Sequence, residues 1–154
     1  MIKLTDNLWI GNSADEQTAD LVGPGIGAIL NVAQDLRATR GWGGKDRAEY
    51  MQVGLIDGPG NPLATYCAAT LALYVLLKRS RVLVCCHTGS RALTIAVMLV
   101  KMNTLTRVAD SRGWDDLLAI LQERVEGELP AVHKAHREAF DKIPWGRLSS
   151  MLGD

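Results

Sequence analysis

Val82 to Ala96, VLVCCHTGSRALTIA, carries one apolar run into another through the polar turn Cys86-His-Thr-Gly-Ser-Arg91. A strand-length run that is apolar throughout offers no face to water, so it belongs inside a sheet covered on both sides. The second run is long enough for a buried helix, predicted from about Arg91 to about Met102. Ile26–Val32 is another near-continuous apolar run, Tyr50–Ile56 is a third strand candidate, and Leu8–Ile10 a short fourth. Strands alternating with helices predict an α/β domain with a central, mostly parallel sheet flanked by helices.

The remaining elements follow from local signals. Ser13 and Glu16 have the spacing of a capping box opening a first helix, which should stop near Gly23-Pro24-Gly25. Residues 34–49 read as a polar, glycine-rich loop. Asn61 is placed to cap a helix that begins at Pro62 and reaches about Lys78. Helical periodicity returns over 114–125 and 130–140. With 154 residues and no linker or repeat, the expectation is one domain spanning 1–154.

Acidic and basic residues balance at 17 each, so bulk charge gives no attraction to nucleic acid or to an anionic membrane. The apolar runs are too short to span a bilayer, and the opening residues lack the apolar core of a signal peptide. Three cysteines, two of them adjacent, do not make a disulfide framework. The expected setting is reducing and cytoplasmic.

The junction carries the chemistry. At a strand-to-helix turn, successive backbone N–H groups face one concavity and the helix dipole adds partial positive charge. Gly89 allows a left-handed turn or a close approach of an anion, and Arg91 supplies a planar fork for two anion oxygens. A cysteine in such a nest is favoured as thiolate. Nest, arginine and thiolate together suit phosphoryl transfer, in which sulfur attacks phosphorus while the amides of His87, Thr88, Gly89 and Ser90, with Arg91, hold the other oxygens.

These segments resemble the cysteine-dependent dual-specificity phosphatases of the protein tyrosine phosphatase superfamily. The signature of that family is a His-Cys pair after an apolar strand, a glycine-containing loop, and an arginine at the helix start. Asn7-Leu-Trp-Ile-Gly-Asn12 and Gly25-Ile-Gly-Ala-Ile-Leu-Asn-Val-Ala33 are similar to its first two strands, in the same order. The resemblance implies the phosphatase fold, a metal-free phosphomonoesterase, and a phosphorylated protein or small phosphomonoester as partner. Phosphate, sulfate or vanadate would occupy the same site. It also implies Asp57 as general acid on the loop after the preceding strand, and Asn31 bracing the phosphate loop by hydrogen bonding.

The pattern is broken in three places. Only His87, Thr88, Gly89 and Ser90 lie between Cys86 and Arg91, where the family has five residues. Counting from Cys85 restores five but moves the glycine one place late. Strand position and the glycine favour Cys86 as nucleophile, with Cys85 in the place of the family's histidine. Ala92 stands where the family has a serine or threonine that hydrogen-bonds the leaving thiolate; Thr94 follows two residues on. Three functions therefore stay open: a phosphatase, a phosphate-binding module with little turnover, and a redox pair in which Cys85 traps oxidised Cys86. His133 and His136 read as surface residues, Cys67 as core, and Trp42, Lys45 and Arg47 as a solvated loop.

Overall fold

The computed structural model describes residues 1–18, 25–36, 48–105 and 112–152. The strands β1 (Ile2–Thr5), β2 (Leu8–Gly11), β3 (Ile26–Ala33), β4 (Glu49–Leu55) and β5 (Arg81–Cys85) form one sheet in the order β1-β2-β5-β3-β4. β1 is antiparallel to β2; every other neighbouring pair is parallel. The mixed α/β architecture is thus the expected one, with an added antiparallel edge. In the register, Cys85 lies opposite Gly11 on one side and Asn31 on the other, and Ala33 lies opposite Leu55. The carboxyl ends of four strands therefore meet at one edge, where open parallel sheets collect their ligand sites.

The helices are α1 (Ser13–Thr18), α2 (Leu63–Leu77), α3 (Ser90–Leu105), α4 (Trp114–Glu123), α5 (Lys134–Lys142) and α6 (Trp145–Leu152). Helix α2 buries Tyr66, Ala69, Thr70, Leu73 and Leu76, a helical stripe turned to the sheet. Helix α3 is buried without interruption from Ala92 to Leu99 and packs against α2, α4, α5 and α6. Each of Leu93, Ile95, Val97, Met98 and Leu99 contributes roughly 1.5–3 kcal/mol of burial free energy before chain entropy is counted. The helix carrying Arg91 is in this way anchored along most of its length.

Several local expectations are corrected. The first helix is capped one residue earlier: Asn12 Oδ1 accepts the Asp15 N–H and Asp15 Oδ2 accepts the Asn12 N–H, both at 2.9 Å. The predicted stop at Gly23-Pro24 lies outside the described residues, and so does most of the 34–49 loop. Pro62, not Asn61, is the cap of α2, and its carbonyl accepts the Thr65 N–H at 3.0 Å. Residues 130–133 are not helical; α5 starts at Lys134 behind His133, whose Nδ1 accepts the Ala135 N–H. Asn103 and Thr104 continue α3.

Candidate active site

The loop after β5 is tied to the neighbouring strand before it reaches its helix. The Cys86 N–H donates to Gly11 O at 3.3 Å, and the Ser13 N–H donates to His87 O at 3.4 Å. Gly89 takes φ +91°, and a Cβ there would stand 2.9 Å from Pro130 Cγ, so both backbone angle and space require glycine. The turn brings the Gly89 N–H to 3.1 Å and the Ala92 N–H to 3.5 Å from Cys86 Sγ. Two amide donors thus converge on one sulfur at the head of the 16-residue α3. Cys85 ends β5, buried, and none of the three cysteines is in a disulfide. The Thr94 hydroxyl donates to Ser90 O at 2.9 Å and is spent within its own helix.

Arg91 is buried and divides its guanidinium. Nη1 donates to Leu55 O at 2.7 Å and to Asp35 Oδ1 at 2.9 Å, joining the ends of β4 and β3. Among the described residues, neither Nε nor the adjacent buried Ser90 hydroxyl has a hydrogen-bond partner. An unsatisfied buried polar atom costs about 1–3 kcal/mol, and each of these two has hydrogen-bonding capacity that the described residues do not fill. Asp35 Oδ2 also lies 3.3 Å from His87 Nε2. The Arg91 hydrogen bond holds the Asp35 carboxyl below its ordinary value, against a smaller opposing effect of burial. Asp35 remains ionised near neutrality and cannot serve there as a proton donor.

Asn31 does not bond the Cys86–Arg91 loop, as the resemblance implied it would. Its amide donates to Leu36 O at 2.6 Å and to the Tyr50 hydroxyl at 2.8 Å, and its Oδ1 accepts the Ala33 N–H at 2.9 Å. These bonds fix the turn that presents Asp35, so its support of Arg91 is indirect. The asparagine stands two residues before the end of β3, beside Cys85 in the register, with its side chain committed to the turn that follows its own strand.

The segment after β4 is shaped by Asn61. Its Oδ1 accepts the Ile56 N–H, and its amide donates to Ile56 O and Gly58 O. The loop so closed carries Asp57, half-exposed, with Oδ1 3.1 Å from His136 Nε2. His136 is wholly buried, contrary to the surface position expected, and its Nδ1 is 2.6 Å from the Tyr66 hydroxyl. Burial holds His136 below its ordinary value of 6.5 and outweighs the opposing Asp57 hydrogen bond; the charges of His133 and Arg91 add to the lowering. Burial also pushes the Tyr66 hydroxyl up, keeping it a donor. A neutral ring beside a carboxylate is satisfied when Tyr66 O–H donates to Nδ1 and Nε2–H donates to Asp57.

A pH dependence follows from the direction of the histidine shift. Below 6.5 the unfolded chain takes up a proton that folded His136 refuses, so stability falls as pH drops from 6.5 towards the lower folded value. Urea midpoints measured across that window are expected to decline in wild type and to decline less in His136→Gln. Equal slopes would contradict the assignment.

Beside the loop that carries Asp57 lies an open cleft of about 260 Å³, walled by Gly58, Asn61, Tyr66, Ala135 and Lys142. Cys67 is half-buried against the core, and burial pushes its thiol up. Trp42, Lys45 and Arg47 lie outside the described residues. Among the described residues no cluster of three or more His, Cys, Asp or Glu could hold a metal, and no helix is long and apolar enough to cross a membrane. Reasoning from sequence missed Asp35, Tyr66 and His136.

The sheet order, the Cys-to-Arg loop at the carboxyl edge and the flanking helices define a phosphatase-like α/β architecture. The chain has the dual-specificity phosphatase fold. Human DUSP28 is similar over 99% of this chain and 99% of its own, with TM-score 0.74 and 12% identity. A mouse putative dual specificity phosphatase complexed with zinc tungstate is similar over 98% and 89%, with TM-score 0.74 and 16% identity. Human tyrosine phosphatase-like serine/threonine/tyrosine-interacting protein is similar over 92% and 93%, with TM-score 0.71 and 17% identity. No protein-family model matches the chain, and no curated protein matches its sequence.

Proposed function

We propose that the chain, as one domain over residues 1–154, is a cysteine-dependent phosphatase of the dual-specificity family acting on phosphomonoesters. Phosphotyrosine, phosphoserine and phosphothreonine proteins are its substrate class, in a cytoplasmic setting. The observation that carries this reading is the pairing of Cys86 Sγ, met by the Gly89 and Ala92 amides, with a buried Arg91 whose Nε has no partner among the described residues. A tetrahedral oxyanion would supply what Nε lacks, and Cys85 lies buried inside the sheet at the end of β5.

In the first step Cys86 Sγ, attacking as the thiolate, bonds to phosphorus and the bond to the leaving oxygen breaks, with Asp57 giving that oxygen a proton. In the second, water attacks the thiophosphate, Asp57 takes the water proton, and the P–S bond breaks to release phosphate. Arg91 and the amides of His87, Thr88, Gly89 and Ser90 hold the non-reacting oxygens. Asp57 suits the acid role better than Asp35, which its Arg91 bond keeps ionised. Cation and amides carry the electrostatic load, so no metal is needed.

Hydrolysis of a chromogenic aryl phosphate is expected to persist in EDTA and to be inhibited by vanadate. A requirement for added metal would sink the mechanism. A second reading, a phosphate-binding module with little turnover, draws on the four-residue loop, on Ala92 and on the fully buried Cys86. Phosphate or sulfate binding with negligible hydrolysis would select it.

A further inference from the structure

We infer that His136 is the positioning residue for the general acid, fixing which oxygen of Asp57 exchanges the catalytic proton. The inference rests on the proposed function and adds to it a buried relay that no sequence motif marks. Three links define it. The Tyr66 hydroxyl is 2.6 Å from His136 Nδ1, His136 Nε2 is 3.1 Å from Asp57 Oδ1, and the imidazole is closed to solvent.

With Nδ1 occupied by the tyrosine proton, the neutral ring has one N–H, and it points at Asp57. Oδ1 is then committed as an acceptor, and a proton on the carboxyl group resides on Oδ2. No described residue bonds Oδ2, and the half-exposed carboxyl leaves it free to meet a leaving oxygen. His136 keeps its own proton throughout; the transfer runs between Asp57 Oδ2 and the leaving oxygen, then between water and the same atom. Arg91 lies close enough to act on the His136 charge, and its Nη1 holds Leu55 O two residues before Asp57. Acid and phosphate fork therefore share one frame.

The test is a leaving-group series, because losing proton donation slows a poor leaving group far more than a good one. Asp57→Asn is expected to slow phenyl phosphate by about 10²–10³-fold and nitrophenyl phosphate much less. His136→Leu should show the same selective pattern at roughly 10-fold or more on phenyl phosphate, and no further loss in the Asp57→Asn background. His136→Gln, which retains an N–H, should recover most of the rate. Tyr66→Phe should show a smaller loss of the same kind, and it tests the relay even if His136→Leu does not fold. A selective effect of Asp57→Asn without one in the His136 variants and Tyr66→Phe overturns the positioning role alone. Equal slowing of both substrates by Asp57→Asn removes Asp57 as the acid and the inference with it, while the nucleophile is judged separately by the cysteine variants.

Discussion

Cys86→Ser is expected to remove aryl phosphate hydrolysis almost entirely, a loss of about 10³-fold or more, as when a nucleophile is deleted from a catalytic unit. A serine hydroxyl in the same place is scarcely ionised near neutral pH and is a far weaker nucleophile than sulfur. The Gly89 and Ala92 amides converge on the Cys86 sulfur, so the variant keeps the nest and should still bind phosphate. Cys85→Ser is the control. Its side chain is buried at the end of β5, opposite Gly11 and Asn31, and burying a hydroxyl there should cost about 1–3 kcal/mol of stability. Activity per folded molecule should change little. Steady-state rates beside urea midpoints separate the two effects. Activity lost only in Cys85→Ser would mean that the five-residue count to Arg91 is the working one. An inactive wild type that still binds phosphate would point to the binding module.

What the sequence made legible is local. The apolar strands, the positive-φ demand at Gly89 and the start of α3 each follow from neighbouring residue types, and the carboxyl-edge location follows from strand alternation. The failures are contacts made across the chain. Asp35 reaches Arg91 over 56 positions, and nothing near Asp35 distinguishes it from a turn residue. Asn31 was placed against the phosphate loop, but its bonds lie with its own strand end and Tyr50. Other signals lie in the sequence itself. His136 precedes the buried Phe140 by four positions and the buried Ile143 by seven, which sets it on the inner face of α5. Ile2 and Leu4 alternate with Lys3 and Thr5 as an edge strand should, and Pro144 heads the unforeseen α6, its carbonyl accepting the Leu148 N–H. Loop length has a different character. The missing residue is visible in the count from Cys86 to Arg91, yet whether the shortened nest still turns over is a matter of rates.

Arg91→Lys is expected to reduce kcat/KM by about 10³-fold, on the order of 4 kcal/mol of transition-state stabilisation. Two losses combine. The guanidinium uses Nη1 to bind Leu55 O and Asp35, while its buried Nε is uncommitted among the described residues. A lysine has one nitrogen at the end of a flexible stem and cannot do both in a fixed plane. If the ammonium stays with Asp35 and Leu55 O, the phosphate loses its fork; if it turns to the phosphate, the ends of β3 and β4 lose their tie. The second loss separates this prediction from a generic loss of charge. Because Leu55 stands two residues before Asp57, loosening it should also disturb the acid, making the variant more sensitive to leaving-group quality than wild type. Vanadate affinity should fall in parallel with kcat/KM. A lysine variant within about tenfold of wild type would show that the loop amides alone carry the phosphate, and that Arg91 serves chiefly to bind the strand ends together.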